Sequence, residues 1–143
     1  MKRYRFGQGF TLMELMIALV LLAVVVSLAV PSYNQFVIRT GRSEALETLL
    51  TTASCQERIY TRANAYDADA CEGNSSSDKY VITVTTSNAN QAFVATATPQ
   101  GVQTQDTCGV LTISQTGGKT AAGESGAFAS ACWSGKHAVA SGS

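Results

Sequence analysis

The chain has 143 residues, of which 45% are hydrophobic and 14% are charged, and its ten basic side chains balance its ten acidic ones. This length provides one small domain together with one additional apolar segment. A net charge of zero gives no support to nucleic-acid binding by bulk charge, because such domains are normally strongly basic. The four cysteines are an even number in a small chain, which favours disulfides over metal ligands and predicts an oxidising compartment.

The first nine residues carry three basic side chains and end in Gly9. An apolar run follows from Phe10 to Pro31, and between Leu15 and Val30 its one polar side chain is Ser27. A helix of this run would be about 33 Å long, close to the thickness of the hydrocarbon core of a bilayer. The run therefore predicts a membrane-spanning helix. The positive-inside rule places residues 1–9 in the cytoplasm.

One residue conflicts with a simple membrane anchor. Glu14 lies five residues into the run, and an ionised carboxylate in hydrocarbon costs on the order of 2.5–3.5 kcal/mol unless it reaches the interface or finds a partner. The small residue Gly9 precedes the apolar segment, whereas the cleavage site of an ordinary secretory signal follows it. Cleavage after Gly9 would remove the basic leader and keep the hydrophobic helix.

Gly9, followed by the sequence FTLME at residues 10–14 and an unbroken apolar helix, resembles the class III signal of type IV pilins and of the related type II secretion pseudopilins. The resemblance implies that a prepilin peptidase and methylase cuts after Gly9 and methylates the new N-terminus at Phe10. It also implies that Glu14 neutralises the N-terminal amine of a neighbouring subunit in the filament core. The alternative is that Glu14 reaches the cytoplasmic interface without a partner.

Pro31 ends the apolar run, and because proline removes one backbone donor we expect a kink there and not the end of the helix. In assembled pili of the family the segment before this proline can lose its helical hydrogen bonds, which implies a role for Pro31 in assembly. Beyond it the pattern is amphipathic, with Leu46, Leu49 and Ala53 on one face. The sequence predicts one helix from about Thr11 to Tyr60, with a protruding apolar half and an amphipathic half packed on a sheet.

Residues 61–78 are polar and lack a regular period, which predicts an exposed loop between the helix and the sheet. Alternation of apolar and polar residues then predicts strands. They lie at 79–86, 91–98 and 108–114, with a short fourth strand or extended segment at 131–133. An antiparallel meander packed on the helix, with Trp133 in the core, is the simplest assembly. The predicted fold class is therefore α+β, and the resemblance implies that it is the type IV pilin fold.

Four cysteines allow three pairings. We favour pairing between neighbours in sequence, Cys55 with Cys71 and Cys108 with Cys132, and each bond would contribute about 3 kcal/mol in the chain-entropy model. In the pilin family a pair like the second bounds the D-region, an exposed loop used in subunit contacts and adhesion. The first pair, Cys55 with Cys71, would be an extra disulfide that many members of the pilin family lack. A C-terminal region bounded by a disulfide is typical of pilins and not of pseudopilins.

The predicted organisation is a leader at residues 1–9, a transmembrane and filament-core helix at 10–36 and a globular headgroup at 37–143. The headgroup holds the second half of the helix, the loop, the antiparallel sheet and the D-region. The resemblance implies a structural subunit of a bacterial type IV pilus. Before assembly it would be a single-pass inner-membrane protein with a cytoplasmic N-terminus, and afterwards part of an extracellular fibre.

In that role the chain polymerises with copies of itself and other pilins through the pilus assembly machinery, and the fibre supports adhesion, twitching motility or DNA uptake. The alternatives are a type II secretion pseudopilin and a minor pilin that acts as a DNA receptor. DNA binding has little support from charge, because the seven basic and ten acidic residues after the leader give a net charge of about −3. Lys119 and Lys136 are candidates for a small basic patch.

No sequence motif indicates catalysis, and we expect neither an enzyme nor a cofactor site. The one histidine, His137, lies in a tail rich in glycine and serine, where a solvated side chain is more common than a general base. Asp67, Asp69 and Glu72 provide carboxylates, but their spacing matches no complete calcium-binding loop. The sequence therefore predicts no metal site.

Overall fold

The computed structural model describes residues 10–71 and 79–135, without the side chain of Pro31. In chain order the elements are α1 (Leu12–Ala63), β1 (Tyr80–Ser87), β2 (Ala92–Pro99), a short 3-10 helix (Gly101–Gln105), β3 (Leu111–Ser114), β4 (Lys119–Ala121) and α2 (Ala127–Trp133). The chain divides into two compact units, of which the first ends at Phe36 and the second begins at Val37. Gly9, Glu72, Lys136 and His137 lie outside the described residues.

The long helix predicted from the sequence is confirmed as α1, which continues through Pro31 and Gly41. In the second unit one face of α1 is buried, and Ala45 and Leu49 have no exposed surface. Both residues belong to a core that they share with the sheet. The three- and four-residue spacing of the apolar residues is therefore the pattern that packs this half of the helix.

The sheet has four antiparallel strands in the order β1-β2-β3-β4, so that each strand pairs with its neighbour in sequence. The first three fall at the predicted places, displaced by one residue in β1 and β2 and shorter in β3. Alternate residues of each strand point into the core, among them Tyr80, Ile82, Val84, Phe93, Ala95, Ala97, Leu111 and Ile113. The predicted α+β fold, a long helix on an antiparallel meander, is confirmed.

The prediction of a fourth strand at 131–133 is wrong, because these residues end the helix α2. The fourth strand is β4, which a turn at Gly117 and Gly118 folds back onto β3. Ser114 N–H donates to the Gly118 carbonyl at 3.0 Å, and Gly117 has the positive φ of 76° that favours glycine. Trp133, predicted to lie in the core, is half-buried and packs against the core from its edge, and its indole N–H donates to the Thr120 carbonyl at 3.1 Å.

The predicted loop after α1 is not wholly exposed. Tyr66 is only 6% exposed and packs edge-on against Phe93, with 4.8 Å between the ring centroids. The buried side chain of Gln56 forms two hydrogen bonds with the backbone of Asp67, at 2.6 and 3.1 Å. The first part of the loop is thus fixed to the head, while residues 72–78 lie outside the described part of the chain.

Candidate assembly segment and head surface

The start of α1 carries a capping interaction that brings Thr11 and Glu14 together. The backbone N–H of Glu14 donates to Thr11 Oγ1 at 3.2 Å, and Leu15 N–H donates to the Thr11 carbonyl at 3.2 Å. Thr11 is therefore the N-cap and Glu14 the third helical residue, where the helix macrodipole favours a carboxylate. Thr11 is not among the residues predicted from the sequence, although the Thr-x-x-Glu spacing is a signal of a helix start.

The large apolar side chains of the helix after this cap are mostly about half exposed or more. Fifteen large hydrophobic side chains between Phe10 and Val30 are 49–80% exposed. By length and composition α1 contains a segment that could cross a membrane. An exposed apolar surface of this extent is typical of a segment that lies in lipid or against other proteins. We name residues 10–30 the assembly segment.

Two disulfides connect the parts of the head. Cys55 on α1 is bonded to Cys71 in the following loop, and Cys108 before β3 is bonded to Cys132 in α2. Cys108 and Cys132 are completely buried. The chain between them contains β3, β4 and most of α2, so the second bond closes a region that the sheet and the core already hold together.

A buried ionic cluster joins α1 to the segment before this disulfide. The guanidinium of Arg42 donates to both carboxylate oxygens of Asp106, at 2.7 and 2.8 Å. Tyr80 Oη donates to Asp106 Oδ2 at 3.2 Å, and Cys108 N–H donates to Asp106 Oδ1 at 3.0 Å. Burial and the negative charge of Asp106 raise the pKa of Tyr80 far above its ordinary value, so that the phenol remains a donor.

Gln103 completes the cluster and explains a glycine inside the helix. Gln103 Nε2 donates to the Ile38 carbonyl at 2.7 Å, which brings the Gln103 side chain onto the backbone of α1. A Cβ atom at Gly41 would lie 2.5 Å from Gln103 Oε1 and 2.8 Å from Lys79 Cδ. Glycine within a helix costs about 1 kcal/mol relative to alanine, and here it allows this close approach.

The surface of the head has a groove of about 660 Å³ between α1 and the end of α2. Leu50, Arg58 and Trp133 are among the residues that line it. Lys119 Nζ lies 4.8 Å from the centre of the Trp133 ring, which is cation–π geometry. The structure therefore places the predicted candidate Lys119 beside an aromatic ring and a groove that also contains an arginine.

Asp67 and Asp69 are the described members of the carboxylate cluster in the loop. Asp69 N–H donates to Asp67 Oδ1 at 3.0 Å, so one of the two carboxylates is used within the loop. Across residues 10–71 and 79–135, no group of three histidine, cysteine, aspartate or glutamate side chains is arranged to hold a metal ion.

Two family models match the chain. A model described as the prokaryotic N-terminal methylation motif matches residues 5–30. A second model, described as type IV minor pilin ComP, DNA uptake sequence receptor, matches residues 31–112. The two matches meet at Pro31 and together include the assembly segment, the rest of α1 and the sheet as far as β3.

A relative and a solved structure agree with these matches. The chain is 33% identical over 94 residues to fimbrial protein EcpC of Eikenella corrodens, an alignment that covers 64% of this chain and 61% of that protein. It thus spans less than two thirds of the curated relative. Its fold is similar to that of a type IV pilin from Shewanella oneidensis, with a TM-score of 0.53 and 27% identity over 63% of this chain and 98% of that one. Since the ComP model covers more than half of the chain, the protein belongs to the type IV pilins, in the family described as type IV minor pilin ComP.

Proposed function

We propose that this pilin is a structural subunit of a bacterial type IV pilus and polymerises through its assembly segment. The observation that carries the proposal is the 49–80% exposure of fifteen large apolar side chains between Phe10 and Val30. The second unit has a closed core of its own and needs none of them. Exposed apolar surface is unfavourable by about 25 cal/mol per Å², so these side chains require lipid first and neighbouring helices afterwards.

The N-terminal methylation motif matched at residues 5–30 supports the proposed processing and location. In this proposal a prepilin peptidase and methylase removes the leader after Gly9 and methylates Phe10. Before assembly the subunit spans the inner membrane with its N-terminus in the cytoplasm. The assembly machinery then adds it to an extracellular fibre together with other pilins. Glu14 pairs with the N-terminal amine at Phe10 of a neighbouring subunit. The helix before Pro31 loses helical hydrogen bonds as the subunits pack in the fibre.

The mass of the subunit in sheared native fibres tests this proposal. We expect a chain that begins at Phe10 with one added methyl group and retains both disulfides, because cleavage after Gly9 leaves the assembly segment intact. Mass spectrometry of the purified fibres before and after reduction measures the N-terminus and both bonds. A subunit that begins at Met1, or at any residue after Val30, would contradict polymerisation through this segment.

The ComP model that matches residues 31–112 favours a second function, that of a DNA receptor. A minor pilin with this role would place a DNA-binding head on the fibre and would support DNA uptake in addition to adhesion or twitching motility. The pilin and fimbrial relatives favour a pilus subunit over the pseudopilin alternative. The family is structural and not catalytic, which agrees with a binding role.

A gel shift of the full chain in a neutral detergent tests the second function. We expect the protein to retard a short double-stranded DNA at low salt, and the retardation to weaken as salt rises because phosphate contacts release counterions. Bovine serum albumin in the same detergent serves as the control for nonspecific retention. If the pilin causes no retardation at low salt, the DNA function is removed while the proposed pilus subunit stands.

A further inference from the structure

The two outer edges of the sheet differ, because the chain itself closes one of them. β4 has three residues, and its Ala121 exchanges two backbone hydrogen bonds with Glu124, at 2.9 and 3.0 Å. The turn after β4 therefore occupies the place where a further strand would pair. The other edge is formed by β1, which has eight residues and, among the described strands, pairs with β2 alone.

The antiparallel pairing with β2 decides which backbone groups of β1 face this second edge. Gln100 N–H donates to the Lys79 carbonyl at 2.8 Å, just before the strand begins. Hydrogen-bonded and non-bonded pairs alternate along an antiparallel ladder, so the odd-numbered residues of β1 bond to β2. Pro99, which has no N–H, lies opposite the even-numbered Tyr80, in agreement with this alternation. The even-numbered residues therefore direct their N–H and C=O groups to the open edge.

Three of these even-numbered residues leave a row of unpaired backbone groups. Throughout residues 10–71 and 79–135, the backbone groups of Ile82, Val84 and Thr86 form no hydrogen bond. Backbone groups of folded domains are almost always paired with protein or water, and an unpaired row along a strand is a template for another strand. The side chains of Ile82 and Val84 belong to the core, which fixes this row in position.

β1 has none of the features that usually protect an edge strand. Natural edge strands are often short or bulged, or they carry charged residues or proline. β1 has the sequence YVITVTTS, without charge or proline, and each of its residues has one partner in β2, so the strand contains no bulge. Beside its end at Thr86 lies a hollow of about 500 Å³, which Ile59 and Asp69 also line. The edge is therefore suited to pairing with a further strand.

We propose that the open edge of β1 pairs with β1 of a second copy of the protein, antiparallel and about a twofold axis at Val84. In this register Val84 lies opposite its own counterpart, and Ile82 lies opposite Thr86 of the second copy. Each of these pairs exchanges two backbone hydrogen bonds. All of the unpaired groups in the row are thereby satisfied, and two four-stranded sheets become one continuous sheet.

The outer face of β1 favours its own sequence as the partner. In this register Thr83 lies opposite Thr85 of the second copy, and both side chains are exposed on that face. Cross-strand threonine pairs are favourable, whereas like charges directly opposite each other are destabilising. Because β1 carries no charged side chain, two identical strands meet without repulsion.

The symmetry of this contact separates it from polymerisation through the assembly segment. A twofold contact is isologous, whereas the subunits of one polar fibre are related by a helical operation. The contact through β1 therefore joins two unassembled subunits or the subunits of two different fibres. It goes beyond the proposed function and does not depend on it.

Hydrogen exchange of the full chain in a neutral detergent tests the pairing, with mass spectrometry and fragmentation that resolves single amides. The subunit concentration is varied from about 1 μM to about 1 mM, which spans weak to moderate affinities. Exchange at Ile82, Val84 and Thr86 should slow by at least roughly tenfold as the concentration rises, because pairing protects these amides. The odd-numbered amides of β1 bond to β2, so they should be protected at every concentration and serve as an internal control.

Paired charge variants test whether the association uses β1. Thr83→Lys with Thr85→Lys places like charges opposite each other, and it should raise the concentration needed for protection at least roughly tenfold. An equal mixture of this variant with Thr83→Glu and Thr85→Glu in one chain should restore protection, because opposite charges then meet. Val94→Lys with Thr98→Lys adds the same charge to exposed positions of β2 and should leave protection nearly unchanged. Thermal melting followed by circular dichroism verifies that the variants are folded.

Three results would overturn the inference. If the even-numbered amides exchange equally fast at every concentration, a second copy does not bind this edge. If they are protected equally at every concentration, the chain covers its own edge. If the lysine variants of β1 and β2 associate equally well, the association does not involve β1. Each of these results leaves the proposed pilus subunit standing.

Discussion

Replacement of Glu14 by alanine should abolish fibre growth while cleavage after Gly9 continues. In the filament the carboxylate is expected to pair with the amine of Phe10 in a neighbouring subunit, in surroundings of apolar side chains. Removal of one partner of a buried ion pair costs about 3–5 kcal/mol because the other charge is left without compensation. Each added subunit would carry this cost, and the yield of sheared fibres should fall by a large factor while the processed subunit accumulates in the membrane.

In the structure Glu14 also lies in the first turn of its own helix, where a carboxylate is stabilising. One control variant separates this effect from the charge pair with Phe10. Glu14 occupies the third position of a helix that Thr11 caps, and loss of such a cap costs about 1 kcal/mol. Thr11→Ala removes the cap and keeps the carboxylate, so it should reduce fibre yield far less than Glu14→Ala. Glu47→Ala, which removes an exposed carboxylate of the head, should have no effect. Normal fibres from the Glu14→Ala variant would contradict the charge pair.

Replacement of Asp106 by alanine should destabilise the head by about 3–5 kcal/mol, which is a large part of the 5–15 kcal/mol that is typical of a folded domain. Asp106 accepts hydrogen bonds from Arg42, Tyr80 and the backbone of Cys108. Without it the guanidinium of Arg42, whose side chain is 7% exposed, would lose the negative charge and the two hydrogen bonds of this carboxylate. Urea unfolding of the full chain in detergent, followed by circular dichroism, measures the loss.

Two further variants show whether the effect comes from the loss of the ion pair between Arg42 and Asp106. Arg42→Met combined with Asp106→Leu removes both charges, and it should recover much of the stability because apolar residues of similar size replace a buried pair at little cost. Glu44→Gln breaks the partly exposed pair with Lys79, and such pairs contribute about 0–1 kcal/mol. A loss below about 1 kcal/mol in Asp106→Ala would show that the cluster does not hold the head together.

Several features of this protein could be predicted from the sequence because their causes are local. The apolar run of residues 10–31 and its single carboxylate at Glu14 indicated a helix that needs lipid or other copies of itself. The three- and four-residue spacing around Leu49 predicted the packed face of α1, and the alternation in β1 and β2 predicted the strands. In each case the signal is a period or a composition within one segment, which the rest of the chain does not alter.

Other features depend on residues that are distant in sequence. Arg42 and Asp106 are 64 residues apart, and a pattern around Arg42 indicates only that it shares a face with Leu49. The need for glycine at position 41 arises from Gln103, which folding brings against the helix. Lys119–Ala121 pairs with the edge of β3, the place that the sequence had indicated for residues 131–133, and residues 131–133 end the helix α2. The sequence by itself thus determined the assembly segment and the order of the main elements, whereas tertiary structure decided which charges are buried in pairs and which remain available on the surface. The physical reason is that periodicity is a property of one segment, while burial and pairing are properties of contacts between segments.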